Sequence, residues 1–178
     1  MMKTLETDRL KLRAVTEDDT RAIYEGWATD PEVTKYMTWN PHKSIEDTRM
    51  IMDYWLHEYE KPDCYRWGLE LKESGALIGM IDVVSFEDNV PVIGYCEAKK
   101  YWNNGYMTEA LGAVTKLLFA DGYSEIKIGA VEENKGSNRV IQKAGFTYVE
   151  SSNVPMSPVK PDIVTINTYR LKRTEEIE

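Results

Sequence analysis

Cysteine and histidine are scarce in this chain, two of each in 178 residues. Cys64 and Cys96 cannot build a disulfide framework, and no apolar run follows Met1-Met2-Lys3-Thr4, so no signal peptide is expected and a reduced, cytoplasmic setting is. CxxC and HExxH do not occur, and His42 stands apart from His57, so no metal is expected. No stretch approaches the roughly 20 apolar residues of a membrane-spanning helix. Glycine never precedes lysine, which removes GxxxxGK[ST]; GxGxxG is missing too, which removes the dinucleotide fingerprint. Positive charge is short: Lys and Arg total 22 against 30 Asp and Glu, a net charge of −8 that argues against nucleic-acid binding through a broad basic face. Repeats and low-complexity linkers are absent as well.

What is present is ordinary globular chemistry, 42% hydrophobic and 29% charged, at a length that suits one domain with a real core. A single domain over 1–178 is expected, ending in a polar tail from 173 to 178. Leu10, Leu12 and Ala14 alternate with Lys11 and Arg13, the pattern of a half-buried strand. Thr16-Glu17-Asp18-Asp19 reads as a capped helix start, Asp30-Pro31-Glu32 as the start of a short helix to about Met37, and Ser44 as the cap of a longer one. Arg66–Leu71 and Leu77–Phe86 read as a hairpin, followed by a strand over Pro91–Ala98. Leu111, Val114, Leu117 and Leu118 mark a helix after Gly105. Glu125–Val131 is a strand, Ser137–Ala144 a helix with Gly145 as its C-cap, and Phe146–Glu150 and Ile163–Leu171 are closing strands. Pro155, Pro158 and Pro161 are expected to mark a loop between the last two. These elements make a mixed α/β sheet with helices on both faces.

The most informative stretch is Ile93–Phe146. It reads strand, tight turn, helix, strand, helix. The turn Trp102-Asn103-Asn104-Gly105-Tyr106-Met107 leads straight into a helix, so several backbone N–H groups and the positive end of the helix dipole point at one spot, which suits a phosphate or pyrophosphate. Asn134-Lys135-Gly136-Ser137-Asn138-Arg139 opens the next helix. Together they imply a ligand with a phosphate end and a reactive end.

Three segments in order, LETDRLKLRAVTEDD (5–19), IGYCEAKKYWNNGYMTEAL (93–111) and ENKGSNRVIQKAGF (133–146), resemble the GCN5-related N-acetyltransferase (GNAT) superfamily, in particular its RimJ/RimL-like ribosomal-protein branch. The resemblance spans about 5–172. It implies a mostly antiparallel twisted sheet splayed between two parallel strands, here Pro91–Ala98 and Glu125–Val131. Coenzyme A would lie in the splay, its pantetheine arm bonded like an added strand to the main chain of Cys96, Glu97 and Ala98. The family's pyrophosphate loop maps onto Trp102, Asn103, Asn104, Gly105, Tyr106 and Met107, with Thr108 following. Two departures stand out. Asn104 replaces the usual basic residue, which removes a cationic contact, and Met107 replaces a small one, which would crowd the approach. Asn134 matches the family Asn that contacts the pantetheine region, and Ser137 the Ser of N-x-x-S that lies near the thioester sulfur. Ile141 stands where other branches carry a Tyr.

The resemblance implies acetyl-CoA as co-substrate, no metal, and direct attack by a neutral primary amine. Proximity, a backbone N–H for the oxyanion, and a proton acceptor complete the chemistry. Glu97 and Asp82 are the carboxylates expected to accept the proton. The acceptor is a protein N-terminal α-amine of the ribosomal-protein type or a small amine such as a polyamine or aminoglycoside; a non-catalytic acyl-CoA sensor is the rival class. The resemblance also implies a homodimer, for which the C-terminal strands and the proline loop Pro155–Pro161 are candidate surfaces. Plainer readings stand beside these: Ser137 as a helix N-cap, Asn134 as a turn residue, Glu97 and Asp82 as paired or solvated carboxylates, Cys96 as a small strand residue, and Tyr24, Trp27, Trp39, Trp55 and Trp67 as core.

Overall fold

The computed structural model describes residues 3–174; Met1, Met2 and the last four residues of the expected tail lie outside the described residues. Eight strands form one sheet in the order β1-β2-β3-β4-β5-β6-β8-β7. They are β1 (Leu5–Glu6), β2 (Leu10–Arg13), β3 (Arg66–Leu71), β4 (Leu77–Glu87), β5 (Val90–Glu97), β6 (Glu125–Val131), β7 (Thr147–Ser157) and β8 (Lys160–Lys172). Every neighbouring pair is antiparallel except β5 and β6. Helices cover both faces: α1 (Thr20–Ile23), α2 (Pro31–Thr34) and α3 (Ile45–Glu58) before β3, α4 (Tyr106–Ala120) between β5 and β6, and α5 (Lys135–Lys143) after β6.

Local chemistry explains most of these elements. In α4, Met107, Ala110, Leu111, Val114 and Leu118 are buried at helical spacing. They press on Leu10, Leu12, Ile81, Ile93, Ile126 and Ile128 in the main core. Each such side chain contributes about 1.5–3 kcal/mol on leaving water. A second cluster, with Ile23, Trp27, Met52 and Met80, fills the opposite face beneath α1–α3. Ser44 caps α3 through a reciprocal pair with Asp47. Gly145 takes a φ of +91° as the expected C-cap. Asp88 and Asn89 both take positive φ, the backbone twist of a two-residue hairpin between β4 and β5.

Four expectations are corrected. The first helix breaks into a 3₁₀ turn, α1 and a π turn over Tyr24–Ala28, and α2 stops at Thr34 instead of Met37. The helix expected from Ser137 begins at Lys135, because Asn134 is its N-cap. The proline loop is a long hairpin: Pro155 pairs with Ile163 inside β7–β8 and only a tight turn separates the strands. β7 is an edge strand, where a missing N–H is tolerated. β8 meets β6 only from Ile166 onward, so the segment holding Pro161 belongs to a two-stranded ribbon beyond the sheet.

Candidate active site

The parallel pair β5–β6 holds its register only at Val92↔Lys127 and Ile93↔Ile128. Beyond that point β5 stays bonded to β4 through Glu97, and β6 to β8 through Val131, so the two strands part and leave a wedge. Ladder alternation decides which groups face it. The Ala98 N–H donates to the Ile78 carbonyl at 2.8 Å, and Met80 pairs with Cys96, so the even-numbered residues of β5 turn their main chain toward β4. The Ala98 carbonyl accepts from Tyr101 N–H. Cys96 and Ala98 therefore do not offer main-chain bonds to the gap; Tyr95 and Glu97 do. The Glu97 carbonyl is taken by the Trp102 indole N–H at 2.8 Å, which leaves the Glu97 N–H and both Tyr95 groups. A Cβ on Gly79 would sit 2.4 Å from the Cys96 carbonyl, so β4 and β5 close tightly only because residue 79 is glycine.

The turn before α4 has the expected form. Asn103 and Gly105 take φ of +64° and +80°. The Asn104 amide donates to the Tyr101 and Trp102 carbonyls at 2.9 and 3.0 Å. Two features bear on the departures at Asn104 and Met107. The Met107 side chain is buried in the core and does not crowd the turn. A cation is present from elsewhere in the chain. Arg9 Nη1 donates to the Asn104 carbonyl at 2.9 Å, Nε to Glu109 at 2.7 Å, and the guanidinium lies over the Tyr106 ring. Glu109 also accepts from Thr7 and from the Arg9 N–H. Burial opposes its charge, but these contacts hold its carboxyl below the usual range. Residues 9 and 104 are far apart in sequence, and only the β1–β2 hairpin joins them.

At the other end of the wedge, the Asn134 side chain accepts the Ser137 N–H at 3.2 Å, so Asn134 and not Ser137 caps α5. Asn138 pins this turn. Its amide donates to the Val131 and Asn134 carbonyls, and its Oδ1 accepts from Asn167 and from the Tyr169 hydroxyl. Ser137 Oγ lies 2.7 Å from the Tyr95 hydroxyl. Tyr95 is not among the expected site residues.

The two candidate carboxylates lie on opposite faces. Ile81 pairs with Tyr95 and Asp82 with Gly94, so Tyr95 and Glu97 share the α4–α5 face while Asp82 and Cys96 look toward α1–α3. Asp82 is ion-paired to Arg66 at 3.1 Å, and Arg66 lies over Trp55. Burial raises the Asp82 carboxyl against the pull of Arg66. Among the described residues Glu97 has no ion pair; its Oε1 is buried without a hydrogen-bond partner there, and burial pushes its pKa up to about 7. Burial also pushes the Cys96 thiol up to about 12, which fits an inert strand residue. Trp27 and Trp67 are core, as expected. A cavity of about 510 Å³ opens at the end of β6, lined by Lys35 and Tyr36, by Glu132 and Glu133, and by Met156 and Asp162 of the hairpin. Among the described residues no cluster of His, Cys, Asp and Glu could hold a metal. No helix among them is long and apolar enough to cross a membrane.

Residues 9–147 match the family model for the acetyltransferase (GNAT) domain. The chain belongs to this family. The acetyltransferase is 34% identical over 149 residues to the uncharacterized N-acetyltransferase YoaA of Bacillus subtilis, which covers 82% of this chain and 84% of the relative. Its fold is shared with a Salmonella typhimurium acetyltransferase that modifies the N-terminal serine of ribosomal protein L7/L12 (TM-score 0.79, 18% identity, 94% and 97% of the two chains). It is shared equally with the Microcin C7 self-immunity acetyltransferase MccE, solved with acetyl-CoA and AMP (TM-score 0.80, 16% identity, 94% of each chain). The protein is thus an N-acetyltransferase of GNAT type, and the family's acyl donor is acetyl-CoA.

Proposed function

We propose that this enzyme transfers acetyl from acetyl-CoA directly to a primary amine, and that the amine is the α-amine of a protein N-terminus. The observation that carries the direct-transfer reading is the wedge. Strand groups of Tyr95 and Glu97 face an open gap, with the amide turn at one end and Ser137 at the other. Those features fit an extended pantetheine arm with phosphates at the turn and a thioester at Ser137. The bound donor supplies an activated acyl carbon and a thiolate leaving group. The chain supplies the rest: the Tyr95 or Glu97 N–H receives the developing oxyanion, and the Ser137 hydroxyl hydrogen-bonds the departing sulfur. Glu97 takes the ammonium proton, directly or through water. Glu97 is favoured over Asp82 because its carboxyl is unpaired and titrates near the working pH, whereas Asp82 is held by Arg66. The Cys96 thiol, partly buried and with its pKa pushed up to about 12, supports direct transfer over an acyl-cysteine intermediate.

An α-amine, with a pKa of about 7.7–8.0, is partly neutral already and asks little of a base. This matches a single carboxyl near 7 and the ribosomal-protein acceptor of the Salmonella neighbour. A small cationic amine is the second reading, favoured by Glu132, Glu133 and Asp162 in the cavity lining and opposed there by Lys35 and Lys160. Mass spectrometry of one mixture, holding acetyl-CoA, the enzyme, peptides with free N-termini, polyamines and aminoglycosides, separates them. Acetylated peptides are expected; unmodified peptides beside an acetylated small amine would reverse the assignment. We place the enzyme in a reducing cytoplasm, in keeping with its two free cysteines. A second copy of the chain is the partner proposed for the β7 edge.

A further inference from the structure

Tyr95 sits two residues past the last β5–β6 pair, so its ring crosses the parting strands to reach the first turn of α5. There its hydroxyl lies 2.7 Å from Ser137 Oγ and 3.4 Å from the Ser137 carbonyl. The helix turn is fixed from below, since Ser137 N–H goes to Asn134 and Asn138 ties the turn to β6 and β8. Ser137 can therefore reorient only by rotating its own side chain. Burial holds the Tyr95 phenol well above its usual range despite the Ser137 contact, so it keeps its proton; at 2.7 Å either hydroxyl can donate to the other.

We propose that Tyr95 is a positioning residue that donates to Ser137 Oγ and thereby turns the Ser137 proton into the wedge, toward the departing sulfur. A serine hydroxyl has one proton and two lone pairs. With one lone pair held by Tyr95, and with no other hydrogen bond to Ser137 Oγ among the described residues, the Oγ–H is left to turn to the gap. The donor is then oriented before charge develops, which is where a hydrogen bond accelerates a reaction. As the carbon–sulfur bond breaks, its electron pair stays on sulfur and accepts this hydrogen bond. No proton leaves Ser137 or Tyr95, and the thiolate is protonated by solvent. The inference rests on the reading of Ser137 as the leaving-group contact.

The test is a double-mutant cycle with Tyr95→Phe, Ser137→Ala and both together. It is read as kcat with the most active amine of the panel, KM for acetyl-CoA, and CoA affinity by calorimetry. Tyr95→Phe keeps the buried ring, and melting curves check that it folds. The expected result is a kcat lowered by on the order of tenfold in each single variant, unchanged CoA affinity, and a double variant no slower than Ser137→Ala alone. Ser137→Thr, which retains a hydroxyl for Tyr95, should keep most of the rate in the parent and lose it when combined with Tyr95→Phe. A parental rate in Ser137→Ala would remove the Ser137 reading and this one with it. A slow Ser137→Ala beside a parental Tyr95→Phe would overturn the role of Tyr95 alone. So would rate losses that multiply in the double variant, or a Tyr95→Phe that weakens CoA binding and leaves kcat unchanged.

Discussion

A carboxyl without a partner is the most consequential single residue in this molecule. Glu97 is half-buried, with Oε1 unbonded and its pKa pushed up to about 7 by burial. As proton acceptor it must be ionised, so kcat/KM should rise as pH climbs through about 7. Glu97→Gln should flatten that limb, and a slow variant whose profile keeps the parental limb would show that another group titrates. Asp82→Asn should leave the limb in place, because Asp82 lies on the other face beside Arg66; loss of the limb there would exchange the two assignments. The same group makes a stability prediction. Its folded pKa of about 7 lies above the ordinary 4.5, so the folded state holds the proton more tightly than the unfolded chain does. Stability therefore falls as pH rises from about 4.5 to about 7 and then levels. Urea midpoints measured across that window should decline in the ligand-free parent and decline less in Glu97→Gln. The residue types at 97, 134 and 137 were readable from the chain because they sit in a recognisable spacing. Tyr95 and the reversal of Cys96 and Ala98 were not: which parity of β5 faces the gap is set by its register with β4, and register is a tertiary fact.

At the scale of elements, the turn before α4 and the cap of α5 are held by partners from distant strands. Gly105 has a φ of +80°, a backbone region that a β-branched residue strongly disfavours. Gly105→Val should distort the amide turn and weaken CoA binding in calorimetry with a smaller effect on melting, since residue 105 is exposed. Arg9→Ala should act in the same direction by releasing the Asn104 carbonyl, with a loss on the order of tenfold in CoA affinity. An unchanged affinity would show that the turn is rigid without Arg9. Asn138 behaves differently. It is 8% exposed, and its removal leaves the Tyr169 hydroxyl short of a partner and the Val131 carbonyl with the Asn134 N–H alone. Asn138→Ala should destabilise the fold by about 1–3 kcal/mol, read as a lowered denaturation midpoint. Helix starts and strand cores were legible because capping residues and apolar periods are local. The Arg9 clamp was not, since nothing within either segment signals a contact made across the chain.

At the scale of the whole molecule, one edge of the sheet is nearly covered and the other is bare. β1 is two residues long, too short to template another strand, whereas β7 runs for eleven residues along the opposite edge. Tyr148, Val149 and Val154 on β7, Val159 in its turn and Ile163 on β8 are all exposed apolar side chains. Pro155 lies within β7 and interrupts any ladder along it, so two copies would meet mainly through these side chains and not through one continuous sheet. Val154 pairs with Val164 and Pro155 with Ile163, so Val154 and Ile163 lie on opposite faces of the ribbon, and a two-fold dimer along the β7 edge would bring side chains of both faces to the seam from each copy. Light scattering should give a dimer mass at micromolar protein. Val154→Lys with Ile163→Glu should shift it toward monomer while leaving CoA affinity unchanged, as both residues lie away from the wedge. A monomer at high concentration in the parent would remove the dimer. A monomeric double variant that also loses turnover would mean that the hairpin shapes the acceptor cavity, since Ile163 lines that cavity beside Met156 and Asp162.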